Sequence, residues 1–174
     1  ISGYGRPAYD KEESVIIPKN SEKAVYGMDI SANQGNIDFS LVKESGIKFA
    51  VLRSTTKNGQ PDEKFEQYYK GCLTYGIRPA IYKYSYARTE EEAVEEAKGV
   101  IKMLNGRKLV IWYDIENANQ IQAIGNSGLE KVTKAFLETC SKAGFSVGIY
   151  CNHNWYKNYL SDFLKKKYNP EGDA

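Results

Sequence analysis

Leu109-Val110-Ile111-Trp112-Tyr113-Asp114 is an almost uninterrupted apolar and aromatic run that stops at an acid, with Ile115-Glu116 directly after it. Alternation would mark a strand with one wet face, whereas a continuous run marks a strand covered on both faces, as in a parallel sheet. A strand is therefore predicted from Leu109 to Asp114. Parallel neighbours cannot be joined by a hairpin and need a crossover, usually a helix, on each side. Both crossovers are present. On the near side Thr89 with Glu92 forms a capping box, a helical pattern runs to about Leu104, and Asn105-Gly106 ends it. On the far side Ser127 with Glu130 repeats the box and Gly144 closes the helix.

The same alternation continues outward in both directions, with units recurring at roughly 25 to 35 residues, the signature of repeated β/α units. Strands are predicted at Val25 to Ile30, Lys48 to Arg53, Ile77 to Tyr84 and Ser146 to Cys151. Between them lie a short helix near Ser40 to Glu44 ending at Gly46, and a helix from an N-cap at Asp62 to Gly76. A last helix is expected from Trp155 to about Lys166. Five parallel units are compatible with an open doubly wound sheet or with most of a barrel. No GxGxxG or GxxxxGK[ST] follows any strand, so the glycines that cradle a nucleotide's phosphates are missing.

Composition narrows the function classes. The 174 residues carry a net charge of +2 and no basic block denser than Lys165-Lys166-Lys167, which offers nothing for a phosphate backbone. Nucleic acid is not an expected partner. No stretch approaches the ~18 consecutive apolar residues of a membrane span. The chain is rich in aromatics, with 14 Tyr, 6 Phe and 2 Trp. Tyr combines an apolar face with a hydroxyl, which suits both cores and sugar clefts. Cys72, Cys140 and Cys151 are odd in number and far apart. They read as buried thiols acting as small hydrophobes, with one disulfide plus one free thiol as the alternative. Residues 1–25 are polar, with Pro7, Pro18 and only Val15-Ile16-Ile17 as an apolar run, and are read as an N-terminal extension or linker without a signal peptide. Residues 26–174 form the domain.

In parallel β/α proteins chemistry gathers beyond the carboxyl ends of the strands. Those ends carry Asp29, Arg53 with Ser54, Tyr82 with Tyr84 and Tyr86, Asp114 with Glu116, and Tyr150 with Asn152. Residues two apart on a strand face the same side, about 7 Å apart, so Asp114 and Glu116 are expected to share one space. Two carboxyls in a restricted site cannot both ionise freely; one pKa rises, and that group can act as a general acid. Cleavage of a glycosidic bond asks for this arrangement. The plainer alternative has the two acids capping the next segment or pairing with rim cations. Asp29, a third acid at the same rim, and the tyrosines around it favour the sugar cleft. Arg53 either neutralises a site carboxylate or is a salt-bridged rim residue. Tyr82, Tyr84 and Tyr86 share a face and suit packing as well as stacking. His153, the single histidine, has no Ser or Cys partner and reads as a surface or capping residue. The acids lack His partners at ligand spacing, so no metal and no cofactor is expected.

Gly27-Met28-Asp29-Ile30-Ser31, then Gln34-Gly35-Asn36-Ile37-Asp38-Phe39, resembles the opening GxDxSxxQGxIDF/W of the family 25 glycoside hydrolases, the Chalaropsis-type lysozymes. Successive blocks follow in order: Val42-Lys43 with Gly46 to Phe49, Leu52-Arg53-Ser54, Asp62 with Phe65 and Tyr69, Gly76, Tyr82 with Tyr84, Glu92-Ala93 with Ala97, and Asp114-Ile115-Glu116. The likeness covers about residues 26 to 160. It implies an α/β fold of the irregular, TIM-like (β/α) barrel kind, with five parallel units present and the C-terminal strands absent from this chain. It implies hydrolysis of the β-1,4 bond between N-acetylmuramic acid and N-acetylglucosamine in peptidoglycan, by a secreted or wall-associated monomer acting on glycan strands. By the motif, Glu116 is the general acid, and Asp114 and Asp29 orient and stabilise charge. Arg53, Tyr82, Tyr84 and Tyr150 are substrate-binding candidates. The nucleophile is an acidic side chain or the substrate's own acetamido group. A module that binds peptidoglycan without cleaving it is the alternative. The family's Trp before Gln-Gly is Asn33 here, and its Tyr-His-Phe reads Tyr82-Lys83-Tyr84, which implies altered contacts to the sugar. The family's further strands, one bearing another carboxylate, lie beyond the fifth unit.

Overall fold

The computed structural model describes residues 25–168. The extension read at the N-terminus lies, up to residue 24, outside the described residues. Five strands alternate with helices in chain order: β1 (Gly27–Ile30), α1 (Phe39–Glu44), β2 (Phe49–Arg53), α2 (Phe65–Thr74), β3 (Arg78–Tyr84), α3 (Glu90–Leu104), β4 (Ile111–Asp114), α4 (Ala118–Lys142) and β5 (Val147–Tyr150), then α5 (His153–Asn158) and α6 (Asp162–Tyr168). Every strand pair is parallel and the order is β1-β2-β3-β4-β5. A doubly wound sheet reverses direction at a switch point; this one does not. With right-handed crossovers and one direction of travel, the helices all fall on the same face, the winding of a barrel wall. This answers the choice the sequence left open, and β1 is not paired with β5 among the described residues.

The register separates two faces. Ile30, Leu52, Ile81 and Ile111 lie in one row across β1 to β4 and are nearly or wholly buried. They point at the helices, where Tyr68, Cys72, Ala93, Ala97, Val100, Leu104, Phe136 and Leu137 complete the core. Tyr113 of β4 stacks on Phe136 of α4 with ring centroids 3.8 Å apart. The opposite, inner face holds Asp29, Val51 and Ala80 in one row, then Arg53, Tyr82, Trp112 and Gly148, and finally Tyr84, Asp114 and Tyr150 at the carboxyl rim. Large and small residues alternate along it: a Cβ on Gly148 would meet the Trp112 ring at 2.4 Å, and one on Gly27 the Phe49 ring at 2.2 Å. Both glycines are places where an aromatic ring lies flat on backbone.

Three local expectations are corrected. Helix α4 starts at Ala118, well before Ser127, because Asn117 Oδ1 accepts the Asn119 and Gln120 N–H groups. Gly125 breaks it at φ 61°, ψ −176°. The last helix is two short ones, α5 and α6, separated by Tyr159-Leu160-Ser161. Asp62 does not cap α2; Lys64 precedes that helix, and the Asp62 carboxylate is spent on the Lys64 N–H, the Ala32 N–H and Arg53. Thr89 does cap α3, its hydroxyl accepting the Glu92 N–H. All three cysteines are free, Cys72 and Cys140 buried and Cys151 only partly so. Among the described residues no helix is long and apolar enough to cross a membrane.

Candidate active site

Asp114 ends β4 on the inner face, and the chain then turns out of the sheet. Its Oδ1 accepts the Glu116 N–H at 3.2 Å. Glu116 is therefore placed by a side-chain-to-backbone turn, beyond the strand whose two-residue period suggested the pair. The two carboxyls nonetheless act on each other electrostatically, and Asp29 acts on both. Asp114 is 9% exposed, and burial pushes its carboxyl up to about 7. The Glu116 N–H opposes the shift, while the charges of Glu116 and Asp29 add to it. Burial also raises Glu116, against hydrogen bonds from the Asn152 backbone and side chain. Glu116 Oε1 is buried with no hydrogen-bond partner. Asp29 is open to solvent at the rim, yet the surrounding protein still raises its pKa by desolvation. Three acids thus lie close enough at the carboxyl rim to act on one another's charges, and in each of them burial outweighs the hydrogen bonds that hold the pKa down.

Aromatic groups surround them. Tyr84 Oη donates to the Glu116 carbonyl at 3.2 Å, tying β3 to the loop that carries the acid. Its phenol is pushed up to about 12, first by burial and then by the Asp114 charge. Tyr86 lies against it, ring centroids 5.0 Å apart. Tyr150 pairs with Asp114 in the register and is 44% exposed, and Tyr82 pairs with Trp112.

Arg53 resolves toward the second of its two readings. Its Nε donates to Asp62 Oδ2 at 2.6 Å, so the guanidinium is held by the β2–α2 loop. It still lies beside Tyr82, in the same inner row. Lys83, expected to alter contacts to a sugar, does not face the hollow at all. It points to the helix side and is 1% exposed. His153 is exposed at the start of α5. Among the described residues no group of three His, Cys, Asp or Glu side chains is arranged to hold a metal ion. Two residues escaped the sequence reading of the site. Trp112 shares Asp114's face, which the period of two already implied. Asn152 was singled out only as a polar strand end; its contact with Glu116 requires knowing that β4 and β5 are neighbours.

A consecutively wound parallel sheet with acids and aromatics gathered at its carboxyl rim has the layout in which parallel β/α proteins place their sites. The chain belongs to the glycosyl hydrolases family 25, whose family model matches residues 28–170. It is 25% identical over 142 residues to the autolytic lysozyme of Clostridium acetobutylicum, an alignment covering 80% of this chain and 42% of that protein. The chain spans less than half the length of the curated relatives it matches. Among solved structures, the modular autolysin LytC from Streptococcus pneumoniae superposes with a TM-score of 0.68 at 24% identity, over 77% of this chain and 34% of that one. A family 25 glycosyl hydrolase from Bacillus anthracis gives 0.65 at 20% identity, over 80% and 65%. These structural likenesses speak to the fold, which is the parallel α/β arrangement expected from the sequence.

Proposed function

We propose that this domain hydrolyses the β-1,4 bond between N-acetylmuramic acid and N-acetylglucosamine in bacterial peptidoglycan, acting outside the cell at the wall. The observation that carries the reading is the group of three carboxyls gathered at one rim, acting on one another and each with its pKa raised. Family membership supports it, as do the names of the relatives, lysozyme and autolysin, and the solved complex of LytC with a synthetic peptidoglycan ligand. Glu116 is the general acid: it is less buried than Asp114, and burial raises its pKa, which favours the protonated form that can give a proton to the departing sugar oxygen. Asp114 lies deeper, and the charge of Glu116 adds to the burial that raises its pKa. Asp29 and the ionised member of the pair stabilise the positive charge that grows on the sugar ring. Arg53, Tyr82, Tyr84 and Tyr150 hold the glycan, with Trp112 completing the floor.

The test is release of reducing ends from purified peptidoglycan. Glu116→Gln should lower turnover by ~10²- to 10⁴-fold, the usual contribution of a placed general acid. The rate of the unaltered protein should fall as pH rises and Glu116, held above the ordinary carboxylate range by burial, loses the proton it must give. Equal activity in Glu116→Gln removes that residue from the role. Binding to peptidoglycan with no release by the unaltered chain favours the non-cleaving module.

A further inference from the structure

Behind β4, on the side away from the hollow, runs a chain of buried polar groups that the proposed reaction does not use. Gln120 Nε2 donates to Ser85 Oγ at 2.6 Å, Ser85 Oγ donates to Tyr113 Oη at 2.8 Å, and Tyr113 Oη donates to Glu96 Oε2 at 2.8 Å. Ser85, Tyr113 and Gln120 are at most 1% exposed. Each hydroxyl gives one proton and takes one, so the chain has a single direction and must end on an acceptor. Glu96 supplies it as a carboxylate: its other oxygen takes the Tyr86 N–H at 2.9 Å, and an ionised carboxyl accepts only. Lys83 faces it, with Nζ 3.8 Å from Glu96 Oε1 and 3.0 Å from the Thr56 carbonyl it donates to.

Ser85, inside this chain, ties it to main chain at the site through both its N–H and its carbonyl. The Ser85 N–H donates to the Asp114 carbonyl at 2.8 Å, and Asn117 Nδ2 donates to the Ser85 carbonyl at 3.0 Å. Tyr113 is Asp114's neighbour in sequence, so a fixed phenol behind the sheet fixes the last strand residue in front of it. Resting on the reading above, the geometry points to Tyr113 and Glu96 as positioning residues: their buried hydrogen bonds, relayed through Ser85, hold the Asp114–Asn117 turn so that the two carboxyls meet in the hollow. The Ser85, Tyr113 and Glu96 oxygens all have partners here, with only Gln120 Oε1 left without one, and removing a member of such a buried network loosens the arrangement it specifies. Misplacement by about 1 Å is enough to cost ~10²-fold in rate.

Two variants and one control test this in the 174-residue chain. Tyr113→Phe keeps the ring on Phe136 and deletes the middle of the chain. Glu96→Gln keeps the size and puts a donor where only acceptors fit. Each should lower kcat on peptidoglycan by about tenfold or more with KM changed less than about twofold. Each should also move the Asp114 carboxyl titration, followed by carbon NMR, from about 7 toward the ordinary carboxylate range by on the order of one pH unit. Phe136→Leu removes ring packing and leaves the hydrogen bonds; it should lower Tm while leaving kcat and the titration in place. Unchanged kcat and titration in the first two variants, or equal shifts in Phe136→Leu, overturn the inference. If the unaltered chain releases no reducing ends, the hydrolase reading fails by itself, and the Asp114 titration still decides the positioning role.

Discussion

Asp114 shows how far a single residue departs from what its neighbours in sequence suggest. Its pairing with Glu116 was legible from a spacing of two on a strand, but the strand ends at Asp114 and the pair is completed by the Asp114 Oδ1 bond to the Glu116 N–H. Its burial was not legible, because it depends on β3 and β5 closing around it. The consequence for stability has a definite sign. The folded carboxyl titrates near 7 against an ordinary 3.8, so between those values the folded state holds more protons than the unfolded one. Stability must then fall as pH rises through that window, by at most ~4 kcal/mol, each pH unit between the two values being worth about 1.36 kcal/mol. Asp114→Asn removes the cost of ionisation: its Tm should exceed that of the unaltered protein at pH 8, and the difference should vanish near pH 4, as thermal melts followed by circular dichroism will report. A Tm difference independent of pH contradicts it. On the proposed function, the same substitution should gain stability and lose turnover, as expected where a site is built at the expense of the fold.

Among the elements, those defined by local chemistry were read well and those defined by contacts were not. Thr89 and Asn105-Gly106 bound α3 because a hydroxyl cap and a left-handed exit, with Asn105 at φ 47° and Gly106 at φ 84°, are local devices. The start of α4 was misplaced because Ser127-x-x-Glu130 looks like a cap while a second cap, Asn117, stands one residue before the true start. The Gly125 break lies between them at a φ/ψ that only glycine adopts without strain. Gly125→Ala should therefore destabilise by ~1–3 kcal/mol, seen as a lower urea midpoint with an unchanged slope. A midpoint equal to that of the unaltered protein shows that α4 can straighten at no cost. Where the sequence suggests one helix from Trp155 to about Lys166, there are two, α5 and α6: Asn152 caps α5 through the Trp155 N–H, and the turn at Leu160 separates them.

At the scale of the whole molecule, β2, β3 and β4 have strand neighbours on both sides, whereas β1 and β5 have one each among the described residues. Amides of β2, β3 and β4 should exchange most slowly in native-state hydrogen exchange, with β1, β5 and α6 opening at lower free energy. Uniform protection from β1 to β5 contradicts this layout. The sequence by itself determined that strands and helices alternate, that the strands run parallel, and that Asp29, Asp114, Glu116 and the tyrosines crowd one rim, because periodicity, caps and family blocks are written in residues close along the chain. Tertiary structure decided that the winding is consecutive and that Arg53 belongs to Asp62. It also turned Lys83 away from the hollow and made Asp114 the most strongly shifted of the three acids. Those outcomes depend on desolvation and on Coulomb and hydrogen-bond distances between atoms remote in sequence, which exist only once the sheet has assembled.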